Sequence, residues 1–229
     1  MSTRQLPLDL PARTAYGRAD FLVSDSNRAA LAAIGGWRRW PLGRLVLIGP
    51  AGAGKTHLAH LFAAEAGARI LAAPALAGAA PDALLAGPAL VVEDAAAMAG
   101  DPAGERALLH LVNLAQAEGR ALLLTAREAP ARWPLALPDL ASRLAASAQA
   151  RIAPPDDALL AQLLVKLFAD RQLRVDPGLV SYLAARIERS FAAAARVVAA
   201  LDAAALERRR PVTRALARDV LDNGAAGAA

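Results

Sequence analysis

Short apolar runs alternate with stretches of helical spacing over the first two-thirds of this chain. The runs near 44–48, 68–72, 89–93 and 120–125 are each five or six residues long and mostly Leu, Val, Ile and Ala, as in strands buried on both faces. The segments near 56–66, 81–86 and 103–118 read as helices between them. An earlier helix starts from Ser24, with Ser24, Asp25 or Ser26 as its cap ahead of Ala29 to Ile34. Strands that alternate with helices predict a parallel sheet covered on both faces. After Pro154 and Pro155 the pattern is helical only, near 156–171, 177–188, 191–208 and 212–222, punctuated by Pro177, Pro211 and Gly224. The expected organisation is an extended arm over 1–13, an α/β domain over 14–155, a small all-helical domain over 156–223 and a flexible tail over 224–229.

Composition narrows the class. With 229 residues and 56% of them apolar, the chain has ample material for a core and is expected to be globular. The start Met1-Ser-Thr-Arg-Gln5 has no secretory apolar segment, and Gly, Pro, Asp and Arg interrupt the later Ala- and Leu-rich runs too often for a membrane span. A cytoplasmic location is expected. The absence of cysteine excludes disulfides and thiol chemistry. A net charge of +5 comes from arginines spread along the sequence, and Arg208-Arg209-Arg210 reads as a solvated helix end.

The most informative segment is Gly49-Pro50-Ala51-Gly52-Ala53-Gly54-Lys55-Thr56, which follows the first strand and opens the next helix. That order is the context a phosphate-binding loop requires. Glycines let the backbone approach the phosphates, so that successive N–H groups form an anion nest at a positive helix end. Lys55 adds charge on the outer phosphates, and Thr56 offers a hydroxyl to Mg²⁺. The expected ligand is a nucleoside di- or triphosphate held by residues 49–56 and, in the first helical turn, His57.

Glu93 and Asp94 end the third apolar run, where acids can hold the Mg²⁺ water shell and orient an attacking water. Thr125 and Arg127 end the next and are alternatives for a polar group beside the terminal phosphate. In Leu137-Pro-Asp-Leu-Ala-Ser-Arg143-Leu144, position alone leaves Arg143 equally suited to a neighbour's nucleotide or to a surface salt bridge. Leu6, Leu8 and Leu10 follow Gln5 with Pro7 among them; in an extended chain they share one side and suit either a partner's groove or the chain's own domain.

Together these residues resemble the DnaA family of AAA+ ATPases, and within it the short Hda branch, over essentially the whole chain. The resemblance implies a P-loop AAA+ nucleotide-binding domain, a parallel sheet with helices on both faces, followed by a small helical lid. Asp20 to Ala30 is similar to the family's lead-in beside the adenine, which implicates Leu22, Val23 and Asn27. Leu137 to Leu144 resembles its arginine-finger motif, which makes Arg143 a catalytic group acting in trans. Gln5, Leu6, Leu8 and Leu10 are similar to the peptide that docks on the DNA polymerase III β sliding clamp. Arg189 to Arg196 resembles the start of the lid's sensor helix, with Arg189 as the phosphate contact and Arg196 as the alternative.

The implied activity is promotion of ATP hydrolysis on DnaA by a clamp-docked protein holding ADP (or ATP) and Mg²⁺ through Thr56 and Glu93, which restrains over-initiation of replication. DnaA and the clamp are the implied partners, DNA contact runs through the clamp, and no membrane is involved. A homodimer through the arginine face stays open. DnaA continues into a DNA-binding domain, whereas this chain stops at Ala229 after the lid, which favours the regulatory role as an expectation. Glu93-Asp94 stands where DnaA has two aspartates, and Arg127 stands at its sensor aspartate, so weak or no intrinsic hydrolysis is expected. The alternative is a self-sufficient AAA+ ATPase or helicase-loader type. A P-loop kinase is disfavoured, since no acceptor site or arginine-rich closing lid is evident.

Overall fold

The structure, a computed structural model, describes residues 21–79 and 84–226. The arm with Gln5, Leu6, Leu8 and Leu10, the first half of the 81–86 helix and residues 227–229 lie outside the described residues. Five strands form one parallel sheet: β1 (Arg44–Ile48), β2 (Arg69–Ala72), β3 (Ala89–Glu93), β4 (Ala121–Ala126) and β5 (Ala148–Arg151), in the order β2-β3-β4-β1-β5. Every residue of β1 and β4 is buried, as expected of central strands sandwiched between helices. Parallel register puts all strand C-termini on one edge: Leu47 pairs with Thr125, Ile48 with Arg151 and Ala72 with Glu93.

β5 is the strand that the sequence pattern did not predict. Its four residues, Ala-Gln-Ala-Arg, contain nothing β-branched or aromatic, so local preference is weak and pairing with β1 imposes the extended backbone. The pairing continues past the strand, where Ile152 N–H donates to the Ile48 carbonyl at 2.7 Å.

Helices cover both faces. On one lie α1 (Arg28–Gly35) and α2 (Lys55–Ala66), whose Phe62 is fully buried, stacked on Trp40 at 5.0 Å and edge-on to Trp37 at 6.0 Å. The other carries α3 (Pro102–Ala117), with Leu108, Leu111 and Val112 facing the sheet, and α4 (Pro138–Ala145), with Leu140 and Leu144. α1 begins later than its expected caps. Ser24 to Asn27 form a turn, closed by Asn27 N–H and Arg28 N–H donating to the Ser24 carbonyl, and Asn27 takes the cap position without capping by its side chain.

Four helices follow: α5 (Asp157–Asp170), α6 (Pro177–Ala184), α7 (Phe191–Arg208) and α8 (Arg214–Ala226). Asp156, Asp176 and Ser190, which sequence reasoning did not name, cap the first three through side-chain oxygens. Their own core is built from Leu160, Leu164, Phe168, Leu183, Val198 and Leu201. This helical unit is tied to the sheet domain where Phe191 N–H donates to the Gly52 carbonyl at 2.8 Å.

Two buried charges fix α4. The Glu105 carboxylate on α3 is fully buried and accepts N–H bonds from Gly100 at 2.8 Å, Ala136 at 3.0 Å and Leu137 at 2.8 Å. The Arg44 guanidinium, also buried, donates to Ser147 Oγ, Gln116 Oε1 and the Arg143 carbonyl, each at 2.9 Å. The Ala136 amide, ahead of those of Gly100 and Leu137, holds the Glu105 carboxyl below its ordinary value against the opposing pull of burial. A lowered carboxyl pKa stabilises the fold above the unfolded value of about 4.3, and that contribution is lost as pH falls through the folded value. The Glu105→Gln variant is therefore expected to melt below the wild type at pH 7, with the gap narrowing as pH drops below about 4; a pH series of thermal melts checks this, and a pH-independent gap would contradict it.

Candidate functional site

The loop between β1 and α2 is shaped by close approaches that only glycine permits. Gly49 N–H donates to the Ala126 carbonyl at 3.1 Å, and a Cβ on Gly49 would stand 2.9 Å from the Ile152 carbonyl oxygen. Gly52 and Gly54 have φ of +68° and +97°, and Ala53 N–H closes a turn on the Pro50 carbonyl at 3.3 Å. Pro50 and Ala51 form the exposed crest, and Gly54 delivers the chain into α2, whose first turn carries Lys55, Thr56 and His57. The first amides of a helix have no intrahelical acceptor, so this turn points donors along the loop.

Lys55 is 8% exposed, and its ammonium donates to the Gly49 carbonyl at 2.7 Å and the Pro50 carbonyl at 2.9 Å. Burial lowers its pKa; Asp94 opposes that, Arg127 adds to it and Glu93 opposes it, so all three charges act on one ammonium. Glu93 is the half-buried last residue of β3, and Asp94 follows it in the left-handed region at φ +52°. Asp94 is held there by its N–H donating to Thr125 Oγ1 at 3.0 Å, and Thr125 is buried at the end of β4. Of the two alternatives at that strand end, Thr125 is thus engaged in shaping the acidic turn, while Arg127 is exposed.

The segment before α1 is folded against the same region. Asn27 Nδ2 donates to the Leu22 carbonyl at 2.8 Å, and its Oδ1 accepts the Ser24 N–H at 3.0 Å, a clasp that leaves Val23 exposed. Phe21 meets His57 edge-on at 5.1 Å, which links this segment to the first turn of α2.

The lid lies on the loop. Phe191 N–H donates to the Gly52 carbonyl at 2.8 Å, and a Cβ on Gly52 would be 2.9 Å from Ser190 Cβ and 3.1 Å from Ala192 Cβ. Ser190, Phe191 and Ala192 therefore face the loop, three residues that sequence reasoning did not single out. Their small or apolar character carries no signal without knowledge of how the lid docks. Arg189 is turned to Asp157 at 2.8 Å, and Arg196 to Glu188 at 3.8 Å.

Arg143 sits elsewhere. It is in the last turn of α4, with its carbonyl bound by Arg44 at the start of β1, whereas the loop leaves the end of β1. Five residues of strand, about 13 Å, separate those two edges of the sheet. The Arg143 side chain is 36% exposed and its Nε donates to Asp139 at 3.0 Å, an exposed pair of small energetic weight. Arg127, Arg132 and Trp133 line a cleft of about 420 Å³ beside Asp94, and Arg132 was not anticipated.

Chemically, the loop amides and Lys55 suit a polyphosphate. Among the described residues no group of three or more acidic or His side chains could hold a metal unaided. Mg²⁺ commonly takes one or two protein ligands plus phosphate oxygens and water, and Thr56 with Glu93 fits that pattern.

Solved structures share this architecture. Domain III of the replication initiation protein DnaA from Thermotoga maritima superposes with a TM-score of 0.80 at 16% identity, over 93% of this chain and 98% of that one. The chain has the AAA+ fold. AMPPCP-bound DnaA from Aquifex aeolicus gives 0.70 at 17% identity, over 84% of this chain and 66% of that one. The RuvB Holliday junction branch migration motor of Thermotoga maritima gives 0.71 at 17%, over 90% and 71%. No protein-family profile and no curated protein sequence matches the chain. No described helix is long and apolar enough to cross a membrane.

The Gly52 contact yields a direct test. Gly52→Ala places a Cβ at positive φ against Ser190 and is expected to cost about 1–2 kcal/mol in urea unfolding from the left-handed backbone alone. It should also speed hydrogen exchange at the Phe191 amide; unchanged stability and exchange would show that the lid does not rest on this loop.

Proposed function

We propose that this chain is a regulatory AAA+ protein of the Hda type, which inactivates the replication initiator DnaA by promoting hydrolysis of DnaA-bound ATP. In this reading residues 49–57 hold ADP (or ATP) with Mg²⁺, Leu22, Val23 and Asn27 border the adenine, and Gln5, Leu6, Leu8 and Leu10 dock on the β sliding clamp. Arg143 then meets the γ-phosphate of the ATP on DnaA. Charge neutralisation of that kind is worth roughly 10³–10⁵ in rate when an arginine is supplied in trans.

The observation that carries this reading is the position of Arg143: partly exposed, on the edge of the sheet opposite the chain's own phosphate loop, and so suited to another protein's nucleotide. Two further features favour a weak intrinsic ATPase. The lid residues against the loop carry no cation, and Arg127 is the charge that accompanies Glu93 and Asp94 around Lys55. The convergence of those two acids on Lys55 supports the second reading, a self-sufficient ATPase of the helicase-loader kind. That reading requires appreciable turnover by the chain alone, abolished by Glu93→Gln.

Arg143→Ala is expected to leave ADP binding intact and to reduce stimulation of DnaA's ATPase at least 100-fold, within the range for such arginines. Undiminished stimulation in a reconstituted assay on clamp-loaded DNA would refute the reading. Deleting residues 1–10 is expected to abolish clamp binding in a pull-down and, through lost avidity, to weaken stimulation about 10²-fold or more; retained clamp binding would remove the peptide from the account.

A further inference from the structure

We infer that Glu105 and Arg44 are positioning residues for Arg143: a buried anion and a buried cation that fasten the two ends of α4 to α3 and so fix where the arginine is displayed. The inference rests on the trans-acting role proposed for Arg143.

α4 has only eight residues, and a helix that short is not stable by itself in water. Leu140 and Leu144 seat one face on the sheet, yet two leucines a turn apart still permit sliding and tilting. The ends remove that freedom. At the start, both Glu105 oxygens take the Ala136 N–H and one also takes the N–H of Leu137, the residue preceding the helix. At the finish, Arg44 grips the Arg143 carbonyl itself, and Ser147 Oγ, another Arg44 partner, donates to that carbonyl at 3.2 Å. The signs match the helix dipole, with negative charge at its positive end and positive charge at its negative end.

Both fastenings lead to α3. Glu105 is on its first turn, and Gln116, which holds the third arm of Arg44, is near its end. Eleven residues of helix separate them, about 16 Å, enough to reach from one end of an eight-residue helix of about 12 Å to the other. α3 therefore acts as a splint along α4.

Simple capping does not call for such groups. A buried guanidinium with neutral acceptors keeps its desolvation cost uncompensated by any carboxylate. Burial, with the Arg143 charge adding to it, lowers the Arg44 pKa, and the Arg143 head pairs with Asp139 at 3.0 Å. The arrangement displays a half-buried side chain from a backbone bound at both ends of the helix. Placement errors of about 1 Å cost an active site on the order of 10²-fold in rate.

The test uses the whole chain loaded with ADP, with Glu105→Gln, Arg44→Lys and Arg143→Ala compared for stimulation of ATP hydrolysis by clamp-docked DnaA. Arg44→Lys keeps the charge and loses the fork, so it carries the test if Glu105→Gln does not fold. The expected result is about a tenfold loss of saturating stimulation in the two fastening variants. Half-saturating concentration and ADP affinity should stay at wild-type values, and amide exchange should rise across residues 136–147. Wild-type saturating stimulation in both variants, with Arg143→Ala inactive, overturns this inference and leaves the proposed function standing. Full stimulation by Arg143→Ala overturns the proposed function itself. A loss of ADP affinity in parallel with stimulation also overturns the inference, because it marks general damage to the domain.

Discussion

Backbone must pass backbone without side chains at the turn after β1, and the rest of the architecture is arranged around that requirement. Three parts of the chain converge on the loop. The end of β5 presses Ile152 against Gly49, the lid rests Ser190 and Ala192 on Gly52, and α2 departs from Gly54 in a left-handed turn. Any Cβ at Gly49 would strike a main-chain oxygen, which has no freedom to move aside. The run of small residues is therefore a packing constraint, whatever ligand the loop is proposed to hold. The same constraint explains why the lid can approach so closely that its Phe191 amide bonds the loop's own carbonyl.

The molecule separates its charged machinery onto two edges of the sheet. At the strand C-termini, Lys55, Glu93, Asp94 and Arg127 interact around the loop. At the strand N-termini, Arg44 holds the end of α4 and the half-buried Arg143. In a parallel sheet these edges cannot meet, since every strand points the same way. A protein built like this has one edge suited to holding a nucleotide and another suited to presenting a cation to a neighbour. That division is the physical basis of the regulatory reading.

The sheet was legible where local chemistry was strong. Leu-Val-Leu-Ile and Ala-Leu-Val-Val are strands by composition alone, and their observed limits, Arg44–Ile48 and Ala89–Glu93, match the pattern. β5 was not legible, because alanine, glutamine and arginine carry no strand preference and its form comes from pairing with β1. The lid helices were readable from helical spacing and the prolines between them, and Asp156, Asp176 and Ser190 prove to cap three of their starts. Asn27 was overlooked as the boundary of α1 because its side chain serves Leu22 and Ser24 instead. In the site, the loop and the acids at the end of β3 could be placed from spacing. What spacing could not supply was the contact order of the lid: which of Arg189, Ser190, Phe191 or Ala192 faces Gly52 depends on the docking of two hydrophobic units, and the arginine turns away to Asp157.

The regulatory role requires that the loop around Lys55 hold an adenine nucleotide. The most direct measurement is titration calorimetry of the whole chain with ADP in Mg²⁺, together with mass identification of any nucleotide carried through purification. One ADP per chain is expected, either bound on titration or already present and identified by mass. A protein that carries no adenosine phosphate and gives no binding heat with ADP or ATP would contradict it.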